Sequence, residues 1–182
     1  MLKLVIKPQD EENFELRLAA YAYQRLWAEY GEHIVDSFRT LTDLDFKQKE
    51  ITAVIIPGRA SKSGKTGIPM TLGADYPDND RKLGVLTHEL AHRLVNGNKI
   101  WTKDDSRTIN YIEHRRIYLF LYDAWCDIKD QTYADAQVIH EKEKNYTAFY
   151  EKAWDWALRL SPRQRRNTFK RIRYRRKVNI NS

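Results

Sequence analysis

The sequence contains very little cysteine. Cys126 is the only one among 182 residues, which excludes an intramolecular disulfide framework and a cysteine-ligated zinc site. Cys126 stands in an apolar run, where a lone thiol is typically a small buried hydrophobe. The chain also lacks a long apolar run: no window reaches the length that a transmembrane helix needs. Internal repeats and low-complexity segments are missing too, so the sequence predicts an ordinary globular fold.

The first residues do not have the features of a secretory signal. Residues 1–8 read MLKLVIKP, which is too short and too charged for a signal peptide. We therefore expect a cytoplasmic, reducing location and no membrane partner. The length is typical of one domain that can bury a real core. Charged residues make up 31% and hydrophobic residues 42% of the chain, which is usual for a soluble globular protein.

The net charge of +7 is concentrated near the C-terminus. Residues 163–177 contain nine Lys or Arg residues and no acid, while the rest of the chain has 23 bases against 25 acids. Apolar residues are interleaved in this run at Phe169, Ile172 and Tyr174. Such a segment can hold nucleic acid through phosphate contacts. A solvated basic helix packed by its few apolar residues explains the same pattern equally well.

The start of this basic segment is typical of a helix. Ser161 followed by Pro162 matches an N-cap and the first helical position. The sequence therefore predicts one domain over residues 1–160 and a basic C-terminal helix or tail over 161–182.

The most informative motif is HExxH, formed by His88-Glu89-Leu90-Ala91-His92. On a helix this spacing places two imidazoles one turn apart on one face, where both can bind a single Zn²⁺. The glutamate between them can act as general base on a metal-bound water. The alternative is that both histidines are hydrogen-bonded core residues beside an incidental glutamate.

The surrounding sequence predicts a buried helix over residues 78–97. Acidic and Asn residues stand at its start, and Asn96-Gly97 ends it. The leucines of this segment fall on one face, and the two histidines fall on the opposite face beside two valines. A helix that is apolar on both faces is buried, and imidazoles buried on it need partners.

The remaining elements predict an α+β fold, with a small sheet that includes an edge strand, followed by the HExxH helix and further long helices. The expected elements are a strand over 2–7, a helix over 11–39, a strand over 50–56, an edge strand over 68–73, a helix of about 25 residues after a connection at 99–106, and a helix over 134–160.

A zinc site of this type needs a third protein ligand. The candidates on the helix after the motif are Glu113, His114, Asp123 and Asp127. Asp123 is the only ionisable acid in the apolar and aromatic stretch 117–126, where a carboxylate persists only if it is paired or bound to metal. We therefore predict Asp123 as the third ligand. Asp127, one turn on, is predicted to orient one of the histidines. The alternative for Asp123 is a buried carboxylate bonded to backbone or to a tyrosine hydroxyl.

These features together resemble the zincin metallopeptidases. The likeness covers roughly residues 50–130, is strongest in the HExxH motif, and fits the gluzincin branch best, in particular minigluzincins and ImmA/IrrE-like proteins. The resemblance implies a zincin-like fold and one Zn²⁺ bound by His88, His92 and an acidic third ligand. The family's third ligand is a glutamate with an acid four positions later; Asp123 and Asp127 keep that spacing with a shorter side chain.

The resemblance implies a zinc-dependent metallopeptidase that hydrolyses peptide bonds, with Glu89 as general base and a peptide or protein as substrate. His114, Tyr118 or Tyr122 would donate a hydrogen bond to the developing oxyanion, and the strand near residues 70–72 would pair with an extended substrate. Two alternatives stay open: a nucleic-acid-binding protein that uses residues 163–177 and has a structural zinc or none, and an inactive zincin that serves as an interaction domain.

Overall fold

The computed structural model describes residues 2–63, 67–100, 109–143 and 148–180. The expected α+β class is confirmed. The elements in chain order are β1 (Lys3–Pro8), α1 (Phe14–Thr42), β2 (Glu50–Ile56), β3 (Met70–Gly73), α2 (Asn79–Gly97), α3 (Ile109–Ile128), α4 (Gln131–Glu143), α5 (Phe149–Leu158) and α6 (Pro162–Ile180). Within these described ranges, no helix is both long and apolar enough to cross a membrane.

The sheet is small, parallel and ordered β1-β2-β3. The central strand, β2, buries alternate residues, as its β-branched sequence predicts. β3 lies at one edge of the sheet, as expected, but it begins at Met70, so the proline of the predicted range 68–73 precedes the strand. Gly73, the last residue of β3, lies next to the loop that follows β2. A Cβ on Gly73 would lie 2.5 Å from the carbonyl oxygen of Gly58, so only glycine fits this approach.

The α2 helix agrees closely with its predicted limits. Asp78 is the N-cap, and its carboxylate accepts a hydrogen bond from the backbone N–H of Arg81 at 2.6 Å. Every residue from Leu83 to Val95 is buried. The helix is therefore enclosed on both faces, as its two apolar faces predicted.

The last predicted helix, over residues 134–160, is wrong in its limits. The structure has two helices in this region, α4 and α5. α4 begins earlier than expected because Asp130 caps it, its carboxylate accepting a hydrogen bond from the N–H of Tyr133 at 2.7 Å.

The chain divides into two compact units. The first comprises Met1–Asp36 and Asp45–Asn98, and its core includes the buried faces of the sheet and of α2. The second comprises Ser37–Leu44 and Lys99–Ser182. Its core is aromatic: Tyr118 stacks on Trp154 with ring centroids 3.7 Å apart, and Phe120 makes edge contacts with Phe38 and Phe169.

The basic C-terminal segment folds as α6 and packs in the second unit. Ser161 and Gln164 cap its start reciprocally, as the Ser161-Pro162 pair predicted. Phe169 is fully buried, and Arg173 donates a hydrogen bond to the Asp43 carboxylate at 2.6 Å. These contacts attach α6 to the rest of its unit.

Candidate metal centre

The two histidines of the HExxH motif lie side by side on α2. Their Nε2 atoms are 3.0 Å apart, and their ring centroids are 4.8 Å apart. His88 is 4% exposed and His92 is 8% exposed. Two nitrogens bound to one tetrahedral zinc at 2.0–2.1 Å would be roughly 3.3 Å apart. The pair therefore has nearly the spacing that a shared metal ion requires. A direct hydrogen bond between the two rings has the same geometry.

A third histidine completes a group that can hold a metal ion. Among the residues that the structure describes, His88, His92 and His114 are the three whose ligand nitrogens all lie within 4.8 Å of one another. His114 is also buried, at 7% exposure. Such a group could hold a metal ion.

The donor set indicates a transition metal. Three imidazoles offer only nitrogen atoms, whereas Ca²⁺ and Mg²⁺ prefer oxygen ligands. Imidazole suits zinc, and three histidines with an open fourth position form a known type of catalytic zinc site. The residues present therefore fit zinc better than a hard cation.

Aromatic rings surround His114 on its own unit. Its ring centroid lies 4.4 Å from that of Tyr150 and 5.5 Å from that of Tyr118. Tyr118 is itself held by its stack on Trp154 and by a hydrogen bond from its hydroxyl to Glu141 at 2.7 Å. Burial, with Glu141 next, raises the pKa of Tyr118 well above its ordinary value. The His114 ring thus stands among side chains that are fixed by packing.

Glu89, which lies between His88 and His92 in the sequence, is buried and interacts with two side chains of its own unit. It is 7% exposed. Burial lowers the pKa of Arg93, and the negative charge of Glu89 opposes that shift. Burial is also the largest cause of the raised pKa of Tyr23, to which the Glu89 charge contributes. The guanidinium of Arg93, four residues on, is thus an electrostatic partner of the Glu89 carboxylate.

Asp123 does not stand in the histidine group, contrary to the prediction that it is the third ligand. Both of its carboxylate oxygens accept hydrogen bonds from Arg165, at 2.9 Å from Nε and 2.5 Å from Nη2. The Asp123 side chain is 16% exposed and the Arg165 side chain is 5% exposed. The physical premise of the prediction was that a carboxylate in this apolar stretch needs a partner. The partner in the structure is a cation from α6.

The other candidate ligands also lie on α3. Glu113 is half-buried, and Asp127, predicted to orient a histidine, is exposed to solvent. Neither belongs to the metal-capable group found among the described residues.

The predicted oxyanion donors have other partners. The Tyr118 hydroxyl donates to Glu141, and the Tyr122 hydroxyl donates to Asp135 at 2.8 Å. Each would have to leave a carboxylate before it could donate to a substrate. His114, the third residue named for this role, is the residue grouped with the two motif histidines.

The outer edge of β3 is covered by the chain itself. Thr71 exchanges backbone hydrogen bonds with Lys62 at 2.9 and 3.0 Å. The N–H of Gly73 donates to Ser61 Oγ at 3.1 Å, and its carbonyl accepts from the Tyr23 hydroxyl at 3.1 Å. A substrate strand could pair here only after displacing these groups, so the expected β-augmentation does not fit this conformation.

Searches against protein-family models, curated proteins and solved structures found no match for this chain.

Proposed function

We propose that the protein is a zinc-dependent metallopeptidase whose ligands are His88, His92 and His114. The observation that carries this proposal is the buried group of three histidines whose ligand nitrogens lie within 4.8 Å of one another. His88 and His92 are held on a helix with packed side chains on both faces, which restricts how their rings can move. Bound zinc would lower the pKa of a water molecule and polarise the scissile carbonyl.

Glu89 is the proposed general base. It follows His88 directly on α2, and in HExxH sites this position serves the attacking water. Glu89 would take a proton from the attacking water and deliver it to the leaving amine. Its burial excludes competing hydrogen bonds from bulk solvent.

This proposal replaces Asp123 with His114 as the third ligand. The bidentate contact with Arg165 satisfies the Asp123 carboxylate fully, so a metal would have to compete with a buried ion pair. An imidazole nitrogen is a common ligand of zinc. The third ligand is thus a nitrogen donor on the same helix, nine positions earlier in the sequence.

The test compares zinc-loaded wild type with Glu89→Gln on a fluorogenic peptide library. We expect cleavage that stops with a zinc chelator and returns on adding zinc. Glu89→Gln should retain zinc and lose about 10²- to 10⁴-fold in rate, the usual contribution of a general base. Glu143→Gln, an exposed glutamate on α4, is the matched control and should cleave like wild type.

Two results would contradict the proposal. One is cleavage by Glu89→Gln at the wild-type rate, which would remove Glu89 from the reaction. The other is stoichiometric zinc without cleavage of any peptide in the library, which would make the ion structural.

A further inference from the structure

One face of α6 carries exposed positive charge without acidic side chains. Four cationic residues on it are exposed, and so is Tyr174, at 58%. The cations are Arg163, Arg166, Lys170 and Arg171. At 3.6 residues per turn, these five side chains project within about 140° of one another around the helix axis. They form one surface, named here the α6 basic face.

The opposite side of α6 fixes this surface in place. Arg165 is bonded to Asp123, and Phe169 is fully buried against Phe120. Because these residues face the interior of the second unit, the α6 basic face points away from it. It is therefore a preformed surface rather than a flexible charged tail.

The cations of this face form no ion pair with the described part of the chain. α6 contains no acidic residue over its whole length. Among the described residues, the ion pairs made by α6 are those of Arg165 and Arg173, both outside the α6 basic face. A cluster of like charges that lacks internal partners raises the local potential and attracts anions.

The dimensions fit a phosphate backbone. With a rise of 1.5 Å per residue, Arg163 and Arg171 are about 12 Å apart along the helix. A nucleic-acid strand carries one charge about every 3.4 Å along the duplex axis, so a stripe of this length spans several phosphates. Arginine outnumbers lysine on this face, and its planar guanidinium suits bidentate phosphate contacts.

A membrane surface is the other polyanion to consider, and the packing of α6 disfavours it. An interfacial helix inserts apolar side chains beside its cations. Here the largest apolar side chain of the helix, Phe169, is buried in the protein. The exposed ring on the cationic side is Tyr174, whose flat face can stack on an unpaired base.

We propose that the α6 basic face binds nucleic acid through its phosphate backbone. The proposal is independent of the metal centre, since none of its residues belongs to that group. Affinity should be largely independent of base sequence and should fall steeply as salt rises.

The experiment measures fluorescence anisotropy of a fluorescein-labelled oligonucleotide, single-stranded and as a duplex, over a series of salt concentrations. The test variant replaces Arg166, Lys170 and Arg171 with glutamine. The matched control replaces three exposed bases elsewhere with glutamine, namely Arg25, Lys49 and Lys152. Both variants lose the same net charge, so a difference between them reports the position of the charges.

We expect the α6 variant to bind at least about tenfold more weakly at low salt and to reduce the salt slope by about 2 to 3, close to one for each phosphate contact removed. The control should keep the wild-type slope. Equal losses in the two variants would overturn the proposal, because net charge alone would explain binding. No binding by wild type would overturn it as well. So would stronger binding to phosphatidylserine vesicles than to either oligonucleotide, which would assign the face to a membrane.

Discussion

Replacing Asp123 with alanine distinguishes an ion-pair partner from a metal ligand. The substitution removes the carboxylate partner of Arg165, whose side chain is 5% exposed in the intact protein. The guanidinium keeps its hydrogen bond to the Leu160 carbonyl, at 2.6 Å. Removing one partner of a buried ion pair typically costs about 3 to 5 kcal/mol, because the remaining charge stays buried without compensation. In a chain of this length, that corresponds to a fall of roughly 6 to 20 °C in the unfolding temperature.

The assay is thermal unfolding followed by circular dichroism, with zinc content measured on the same samples. The matched control is Asp155→Ala, which removes a more exposed carboxylate from its pair with Lys142. Such a pair contributes about 0 to 1 kcal/mol. We expect a large loss of stability in Asp123→Ala, a small one in Asp155→Ala, and unchanged zinc in both.

A rescue variant makes this prediction sharper. Replacing Asp123 with leucine and Arg165 with methionine together removes both charges and retains apolar volume, so most of the lost stability should return. If Asp123→Ala unfolded at the wild-type temperature and lost its zinc, Asp123 would be a metal ligand and not an ion-pair partner.

Three further predictions concern packing and ionisation. Phe169→Ala should destabilise the protein by about 3 to 5 kcal/mol because the ring is fully buried. Phe14 is exposed, so Phe14→Ala should change stability by less than about 0.5 kcal/mol. Urea unfolding measures both, and equal effects would contradict the packing of α6. Gly73→Ala should cost about 1 to 3 kcal/mol, since its Cβ would collide with backbone, and Gly97→Ala, whose nearest neighbour would be 3.6 Å away, is the tolerated control. Burial and a neighbouring carboxylate raise the pKa of Tyr118 above its ordinary value of 10.0. The contribution of Tyr118 to stability should therefore be complete below pH 10.0 and should fall as pH rises beyond it. Ultraviolet titration should show one late-ionising phenol fewer in Tyr118→Phe than in wild type.

The sequence predicted the fold class and the position of α2 well because local signals agree there. Asp78 and Asn96-Gly97 mark the ends of the helix, and the apolar residues between them repeat with helical spacing on two faces. Each signal depends on neighbours within one or two turns, so no long-range contact is needed to interpret it.

The ion pair between Asp123 and Arg165 is a long-range contact, which local sequence patterns do not show. Reasoning from burial correctly required a partner for this carboxylate, but Arg165 lies 42 residues away. The signal that would have found it is the basic run itself, which supplies many cations from a helix with a marked start. Considering that run only as a solvated or nucleic-acid-binding segment hid its structural role.

The burial of His114 is hidden in the sequence for a related reason. It stands in the charged stretch Glu113-His114-Arg115-Arg116, which indicates a solvated surface. In the structure His114 and Arg116 are buried, and Arg116 donates to the Ile100 carbonyl at 2.6 Å. Charged residues here make tertiary contacts, which composition alone does not distinguish from exposure to water.

The most direct test of the three-histidine site is the zinc content of purified wild type and His114→Ala, measured by elemental analysis after dialysis against zinc. We expect close to one zinc ion per wild-type chain and loss of that ion in His114→Ala, with the variant still folded by circular dichroism. A wild-type chain without zinc, or a folded His114→Ala that keeps it, would contradict the proposed metal centre.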